Sequence, residues 1–210
     1  MKVPVAARPP TSPPNPSRAG ARVTMRTDPQ AQALQRLIDK DDIQDALCRY
    51  ARGVDRGDWA LVRSTYHPDA HDTHGDYSGP VDGLIDWLDK RFAGVDNSMH
   101  FLGNCLIEFA GPDLALVETS FVSRRLRPLT DSERQTLGPK DAICREGWGR
   151  YVDRFERRQG EWRVAHRTVV LEASSSSVAL GGVRISPLTW GRRDTTDTLY
   201  QTRADVFKSA

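Results

Sequence analysis

The order in which apolar periodicities appear constrains this chain most. Leu34, Leu37, Ile38, Ile43, Ala46, Leu47, Tyr50, Ala51 and Val54 return every three or four positions, the spacing of one helical face. From Met99 onward every apolar segment reads as a strand. Asp28-Pro29 supplies a capping carboxylate and a first-turn proline ahead of the helical run. Gly57 stops that helix, and Asp58 can cap a shorter one reaching about Tyr66. His67-Pro68-Asp69 ends it, a brief strand follows over Ala70–Tyr77, and Ser78-Gly79-Pro80 opens a third helix carrying Leu84, Ile85, Trp87, Leu88 and Phe92.

The strands expected next are Met99–Phe109, Leu114–Leu126, Arg145–Arg157 and Trp162–Leu171. Gly111-Pro112-Asp113 turns between the first two, and Arg158-Gln159-Gly160 makes a short hairpin between the last two. Pro128–Ala142 reads as a long polar loop of the kind that forms lids or rims. Helices first and long antiparallel strands later specify an α+β fold, with helices packed on one face of a bent sheet. A pocket is expected between those layers.

Both ends of the chain differ from the middle. Residues 1–27 hold five basic side chains, no acidic one and a crowd of prolines (Pro4, Pro9, Pro10, Pro13, Pro14, Pro16). Little apolar surface is available to offset the entropy of ordering, so a disordered tail is expected. Its composition is transit-peptide-like without an amphipathic pattern, and Met25 is an alternative start. Residues 173–210 begin with Ser174-Ser175-Ser176-Ser177, read as a linker or turn. The apolar segments Ile185–Trp190 and Leu199–Phe207 then pack on the domain or on a neighbouring subunit. The domain proper is 28–172.

Composition excludes several classes. With 30 Lys+Arg and 28 Asp+Glu in the whole chain, the part after the tail is mildly acidic, a poor match for a nucleic-acid backbone. Arg124-Arg125, Arg157-Arg158 and Arg192-Arg193 read as solvated runs. No apolar segment approaches the ~18 residues of a membrane span. Cys48, Cys105 and Cys144 are odd in number and scattered, which points to a reducing, cytoplasmic compartment without disulfides or structural zinc. His67, His71 and His74 cluster with Asp69, Asp72 and Asp76, but proline and strand geometry spoil a helical ligand pair. No metal or cofactor is expected.

Four segments in order carry a family resemblance. They are Asp42-Ile43-Gln44-Asp45-Ala46-Leu47 with Tyr50 through Asp58; Tyr66-His67-Pro68-Asp69-Ala70 with His74-Gly75; Met99-His100-Phe101-Leu102-Gly103-Asn104; and Gly149 through Arg158 with Gly160-Glu161-Trp162-Arg163. Together they resemble the SnoaL-like branch of the NTF2-like superfamily, from about Asp39 to Leu171. The resemblance implies a cone of helices on a strongly curved, mostly antiparallel sheet. It also implies an Asp–His pair, which by motif position is Asp55 and His100. In dehydratases and dehydrochlorinases of this fold the histidine is a general base and the aspartate orients it. The chemistry is sound in itself, because imidazole titrates near neutrality and a carboxylate on its other nitrogen selects the tautomer.

The same resemblance suggests Tyr50, Arg167, Asp72 and His74 as substrate-binding groups. Tyr50 reads equally as a packing residue, and Asp55 as a helix-end cap. Strand alternation means that Arg167 and His166 cannot both face the pocket, and the resemblance favours Arg167. The implied activity is a cofactor-independent, dehydratase-like lyase acting on a small hydrophobic, cyclic or polyketide- or steroid-like substrate. Isomerase, polyketide cyclase and non-catalytic binding module are the alternatives. Assembly as a homo-oligomer, dimer or trimer, is expected from the apolar surface left to cover.

Overall fold

The computed structural model describes residues 28–137, 142–179 and 189–208. The proline-rich tail and most of Ile185–Trp190 lie outside the described residues. Helix α1 (Pro29–Arg56) starts where Asp28 accepts the Gln30 N–H at 3.0 Å, with Pro29 in its first turn. Its buried face begins only at Asp39 and continues through Ile43, Leu47, Tyr50 and Val54; Leu34, Leu37 and Ile38 stay exposed. Gly57, at φ +68°, closes the helix in the left-handed conformation. Asp58 then caps α2 (Trp59–Ser64), accepting the Leu61 N–H at 3.0 Å. Helix α2 lies so close to α1 that a Cβ on Gly53 would come within 2.6 Å of Val62.

The segment after α2 departs from the sequence reading. The helix ends at Ser64, and His67-Pro68-Asp69 belongs to strand β1 (Tyr66–His74) instead of breaking a helix. Proline is tolerated there because the register against the neighbouring strand slips between Tyr66 and His71. The chain then folds back at Gly75-Asp76 into β2 (Tyr77–Pro80), which the sequence reading had merged into one strand and a helix start. Gly-Asp is a two-residue hairpin signal, and Gly75 takes φ +66°. Helix α3 (Val81–Phe92) buries Val81, Leu84, Leu88 and Phe92, one stripe at helical spacing.

Four long strands follow: β3 (Asn97–Phe109), β4 (Leu114–Arg127), β5 (Ala142–Arg158) and β6 (Glu161–Ala179). The six strands form one open sheet in the order β2-β1-β6-β5-β4-β3, parallel only between β1 and β6. The protein is therefore α+β, as the order of periodicities predicted. Gln159 and Gly160, both at positive φ, make the tight turn from β5 to β6.

Two other expectations change. The loop after β4 contains helix α4 (Asp131–Leu137), started by a capping box in which Thr130 and Glu133 bond each other's backbone N–H. Ser174–Ser177 is not a linker, because β6 runs straight through it, each serine paired with one residue of Cys144–Gly147 on β5. An already extended strand offers backbone partners to any sequence beside it, and that overrides the weak strand preference of serine. The boundary drawn at 172 thus falls inside a strand. Helix α5 (Thr198–Val206) follows in the last segment.

The core lies where α1 and α3 cover one sheet face, with Tyr66, Val117, Tyr151, Phe155, Trp162 and Val164 packed against both helices' stripes. Asp39 anchors α1 to the β5–β6 hairpin, accepting from Gln35, Arg157 and Trp162 at 3.0 Å each. Deeper in the core, Arg167 on β6 has no exposed surface. It donates through Nε and Nη2 to the two carboxylate oxygens of Asp153, at 2.7 and 2.6 Å, across the β5–β6 ladder. Its guanidinium carbon stands 4.2 Å from the ring centres of both Tyr50 and Tyr151.

Breaking such a pair from one side leaves an uncompensated buried charge. Asp153→Ala is accordingly expected to cost about 3–5 kcal/mol of unfolding free energy, read as a shift of the urea midpoint. A loss below about 1 kcal/mol, in the range of an exposed pair, would show that the guanidinium does not depend on Asp153.

Candidate active site

Asp55 lies in the last turn of α1, and His100 lies on β3, an edge strand of the sheet. An edge strand presents backbone donors with no neighbouring strand to take them. Asp55 meets that need at His100: its Oδ2 accepts the His100 backbone N–H at 2.7 Å. Its Oδ1 bonds the His100 ring at Nδ1, also at 2.7 Å, and accepts from Ser98 Oγ at 2.8 Å. Burial alone would raise the Asp55 carboxyl, but the bonds from His100 and Ser98 outweigh it and hold the group below the usual carboxylate range. A carboxylate only accepts, so Nδ1 carries the proton and Nε2 keeps a free lone pair.

His100 forms part of the wall of a cavity of about 410 Å³ between the helices and the sheet. Apolar wall groups come from three sides: Val54 on α1, Trp87, Leu88 and Phe92 on α3, and Phe121 and Val169 on the sheet. Phe121 stacks on Tyr151 with ring centres 4.5 Å apart. Polar groups share the wall about equally with these apolar ones, and a cavity of this size is in the range of a small-molecule site.

The remaining residues singled out in the sequence divide into two sets. His74 and Tyr50 line the cavity. Tyr50 is also wedged edge-on between Tyr66 and Tyr151, and burial pushes its phenol above the ordinary range. Asp72 and Arg167, expected to face the pocket, are instead absent from its wall and fully buried beneath it. Arg167 and His166 do face opposite ways, with Arg167 turned inward and His166 outward, but facing inward here means joining the core. Asp72 accepts from Tyr66 Oη at 2.7 Å, while its Oδ1 lies 3.7 Å from His74 Nδ1, and neither of those two atoms has a hydrogen-bond partner.

The histidines read as a cluster scatter on folding. His67 bonds the Glu156 carbonyl, and His71 bonds Ser78 and stacks on His166. Among the described residues no group of three or more His, Cys, Asp and Glu side chains converges as a metal site. Sequence reasoning missed three cavity arginines, Arg91, Arg125 and Arg145. Alternation along Arg124-Arg125 was the available signal, since two successive strand residues cannot both be solvated on one face.

The last described segment holds the helix end that bears Asp55. Arg193 Nη1 donates to the Val54 and Asp55 carbonyls at 2.8 and 3.1 Å, and Arg56 Nη1 donates to the Arg192 carbonyl at 2.9 Å. Val54 and Asp55 belong to the last turn of α1, where a helix leaves its carbonyls short of partners.

The fold is thus an open mixed sheet backed by helices, with His100 on the cavity wall and Asp55 bonded to it from the end of α1. The sequence model of the SnoaL-like domain matches residues 35–168. The chain belongs to the SnoaL-like domain family. Among solved structures it is similar to a putative scytalone dehydratase from Novosphingobium aromaticivorans, with 14% identity over 73% of this chain and 99% of that one and a TM-score of 0.59. It is similar also to a hexachlorocyclohexane dehydrochlorinase from Novosphingobium barchaimii, at 20% identity over 74% and 99%, TM-score 0.59. A third is a putative aromatic ring hydroxylase from Novosphingobium aromaticivorans, at 20% identity over 67% and 94%, TM-score 0.57. At these identities the likeness establishes the fold. A search of curated proteins by sequence found no match. No described helix is long and apolar enough to cross a membrane.

The Asp72–His74 pair makes a testable pH signature. Burial raises Asp72 to about 6, and burial, with Arg167 and His100 adding to it, lowers His74 to about 3. Between roughly pH 4 and 6 the folded protein therefore holds a proton on Asp72 that the unfolded chain has released, so this group's contribution falls as pH rises. It lacks a proton on His74 that the unfolded chain carries, so that contribution rises with pH. Asp72→Asn should make the slope of stability against pH more positive over this window, and His74→Leu more negative. The His74 effect is the weaker one, since 23% of its side chain is exposed. Denaturant titrations at stepped pH read both, and equal slopes in the two variants would refute the opposition.

Proposed function

We propose that the protein is a cofactor-independent lyase of the dehydratase type, with His100 as general base and Asp55 as the group that orients it. The supporting observation is the double hold of Asp55 on the His100 backbone and ring, which leaves Nε2 as the basic nitrogen available to the cavity. In the proposed step Nε2 takes a proton from carbon next to an electron-withdrawing group. The C–H electron pair becomes the new double bond as the leaving group departs with its own pair. When that group is hydroxide, the imidazolium returns the proton to it as water. Asp55 stabilises the imidazolium in between.

His74, kept neutral by burial, and Tyr50 are the polar groups on the wall suited to bonding the electron-withdrawing oxygen. Asp72 and Arg167 serve this site by position: Arg167 holds the Tyr50 and Tyr151 rings from below, and Asp72 lies beside His74. The cavity suits a compact hydrophobic ring compound. The relatives titled dehydratase and dehydrochlorinase make elimination the favoured reading over isomerisation or cyclisation with the same dyad.

The test is a panel of bicyclic β-hydroxyketones in deuterated water, following the absorbance of the conjugated enone and deuterium at the α-carbon. His100→Ala should lower the rate by about 10²–10⁴-fold with ligand binding retained. Asp55→Asn should cost nearly as much, and the double variant no more than the worse single one, because both disable one proton transfer. Near-normal turnover in His100→Ala would sink the mechanism, and additive losses would show two separate roles.

We also propose a homo-oligomer, dimer or trimer, joined through the outer sheet face. Phe101, Val122 and Trp148 are register partners across β3, β4 and β5 and are 66%, 39% and 39% exposed. A contiguous apolar row of this kind usually marks an interface. Light scattering at micromolar concentration should return two or three chain masses, falling to one in Val122→Glu. A wild-type monomer would remove the proposal.

A further inference from the structure

The cavity mouth carries charge that the proton-transfer chemistry does not use. Arg125 on β4 and Arg145 on β5 are direct register partners, and Arg91 reaches the same volume from the last turn of α3. Like charges directly opposite on neighbouring strands are destabilising. No described carboxylate relieves them. Arg91 and Arg125 rest on the rings of Trp87 and Phe92, at 4.8 and 5.1 Å, and none of the three makes an ion pair among the described residues. Glu146, the acidic group nearest in the wall, faces Arg124 at 3.5 Å instead. Desolvation, with Arg91, Arg145 and Arg193 adding repulsion, pulls the Arg125 guanidinium down to about 10.

The surroundings complete an oxyanion cradle. Ser176 on β6 pairs in register with Arg145 and lines the cavity, so a hydroxyl residue stands beside the two arginines in the same row of the sheet. The three arginines also line a second, smaller cavity of about 200 Å³, which places them at the boundary between the main cavity and an outer one. His100 occupies the adjacent row, paired with Ser123, two residues from Arg125 along β4. Two residues of extended strand span roughly 7 Å.

We infer that Arg91, Arg125 and Arg145 form an oxyanion subsite, and that the ligand carries a carboxylate or phosphate group roughly 7 Å from the atom that meets His100. Without a bound anion the three cations repel one another; with one, the repulsion becomes charge-assisted hydrogen bonding, for which the arginine fork is suited. The subsite narrows the hydrophobic ring compounds of the proposed function to anionic ones. In that respect it rests on the reading of His100 as base, but it is tested by binding alone.

The probes are 2-naphthoate, 2-naphthyl phosphate and the uncharged 2-naphthalenemethanol, titrated calorimetrically into the full chain. At least one anion should bind about tenfold or more tightly than the alcohol, as expected for hydrogen bonds to an ion. The anion that wins identifies carboxylate or phosphate. Arg125→Met and Arg145→Met should each erode that preference while leaving the alcohol's affinity unchanged, and His100→Ala should preserve it. Arg125→Met without ligand should melt at or above the wild-type temperature, because repulsion is relieved, whereas a packing role would lower it. Equal affinity of all three probes for the wild type, or a preference that survives in the Arg125→Met/Arg145→Met double variant, would overturn the inference even if His100 proves to be the base.

Discussion

The guanidinium of Arg167 is the point on which the rest of the molecule depends. Burial by itself would discharge it, yet Asp153 and the surrounding phenols hold its affinity for the proton above that of an ordinary arginine. Its charge must therefore be compensated in place, even though Nη1 has no hydrogen-bond partner among the described residues, and each compensating contact fixes a neighbour. Asp153 locks the β5–β6 register, Tyr66 and Asp72 come from β1, and Tyr50 brings α1 down onto the sheet. Once Tyr50 is seated, Asp55 follows about 7.5 Å further along the same helix axis. The helix cannot shift on the sheet without disturbing either the buried charge or the Asp55 carboxylate.

That arrangement explains how a carboxylate near a helix end can serve an edge strand. Edge strands are exposed to unwanted pairing, and proteins protect them with charges or covering elements. Here the cover is the helix terminus itself, and the bond that protects the strand also fixes the imbidazole's partner. With the backbone N–H and ring Nδ1 of His100 both committed to Asp55, the ring has little freedom to rotate. Structural protection and tautomer selection arise from one side chain.

Much of this was legible in the sequence, and the exceptions have physical causes. Asp55 and His100 stood out because each sits within a local motif, but 45 positions of chain separate them and only folding makes the contact. Alternation puts Arg167 and His166 on opposite faces, and the family resemblance turns Arg167 inward. It could not tell a cavity wall from a core floor, which depends on how deeply the tyrosines cover the strand. The hairpin at Gly75-Asp76 and the Thr130–Glu133 capping box are short signals in the sequence, the first outweighed by the strand pattern of Ala70–Tyr77 and the second by the polar composition of Pro128–Ala142. Ser174–Ser177 was different. Nothing in four serines specifies a strand, and only the length of β5 beside them does. Arg125 was hidden in a doublet that resembled a solvated run, although its neighbour Arg124 alone faces the outer side.

The grip of Arg193 on the Val54 and Asp55 carbonyls has a consequence for where this protein ends in a functional sense. The family match stops at residue 168, while the side chain that steadies the helix terminus bearing Asp55 lies 25 positions beyond it. The chain thus combines a matched domain that contributes Asp55 and His100 with a segment beyond the match that steadies the end of α1. Under the proposed chemistry a substitution at Arg193, which is no part of the cavity wall, changes the rate by loosening the helix end that positions Asp55.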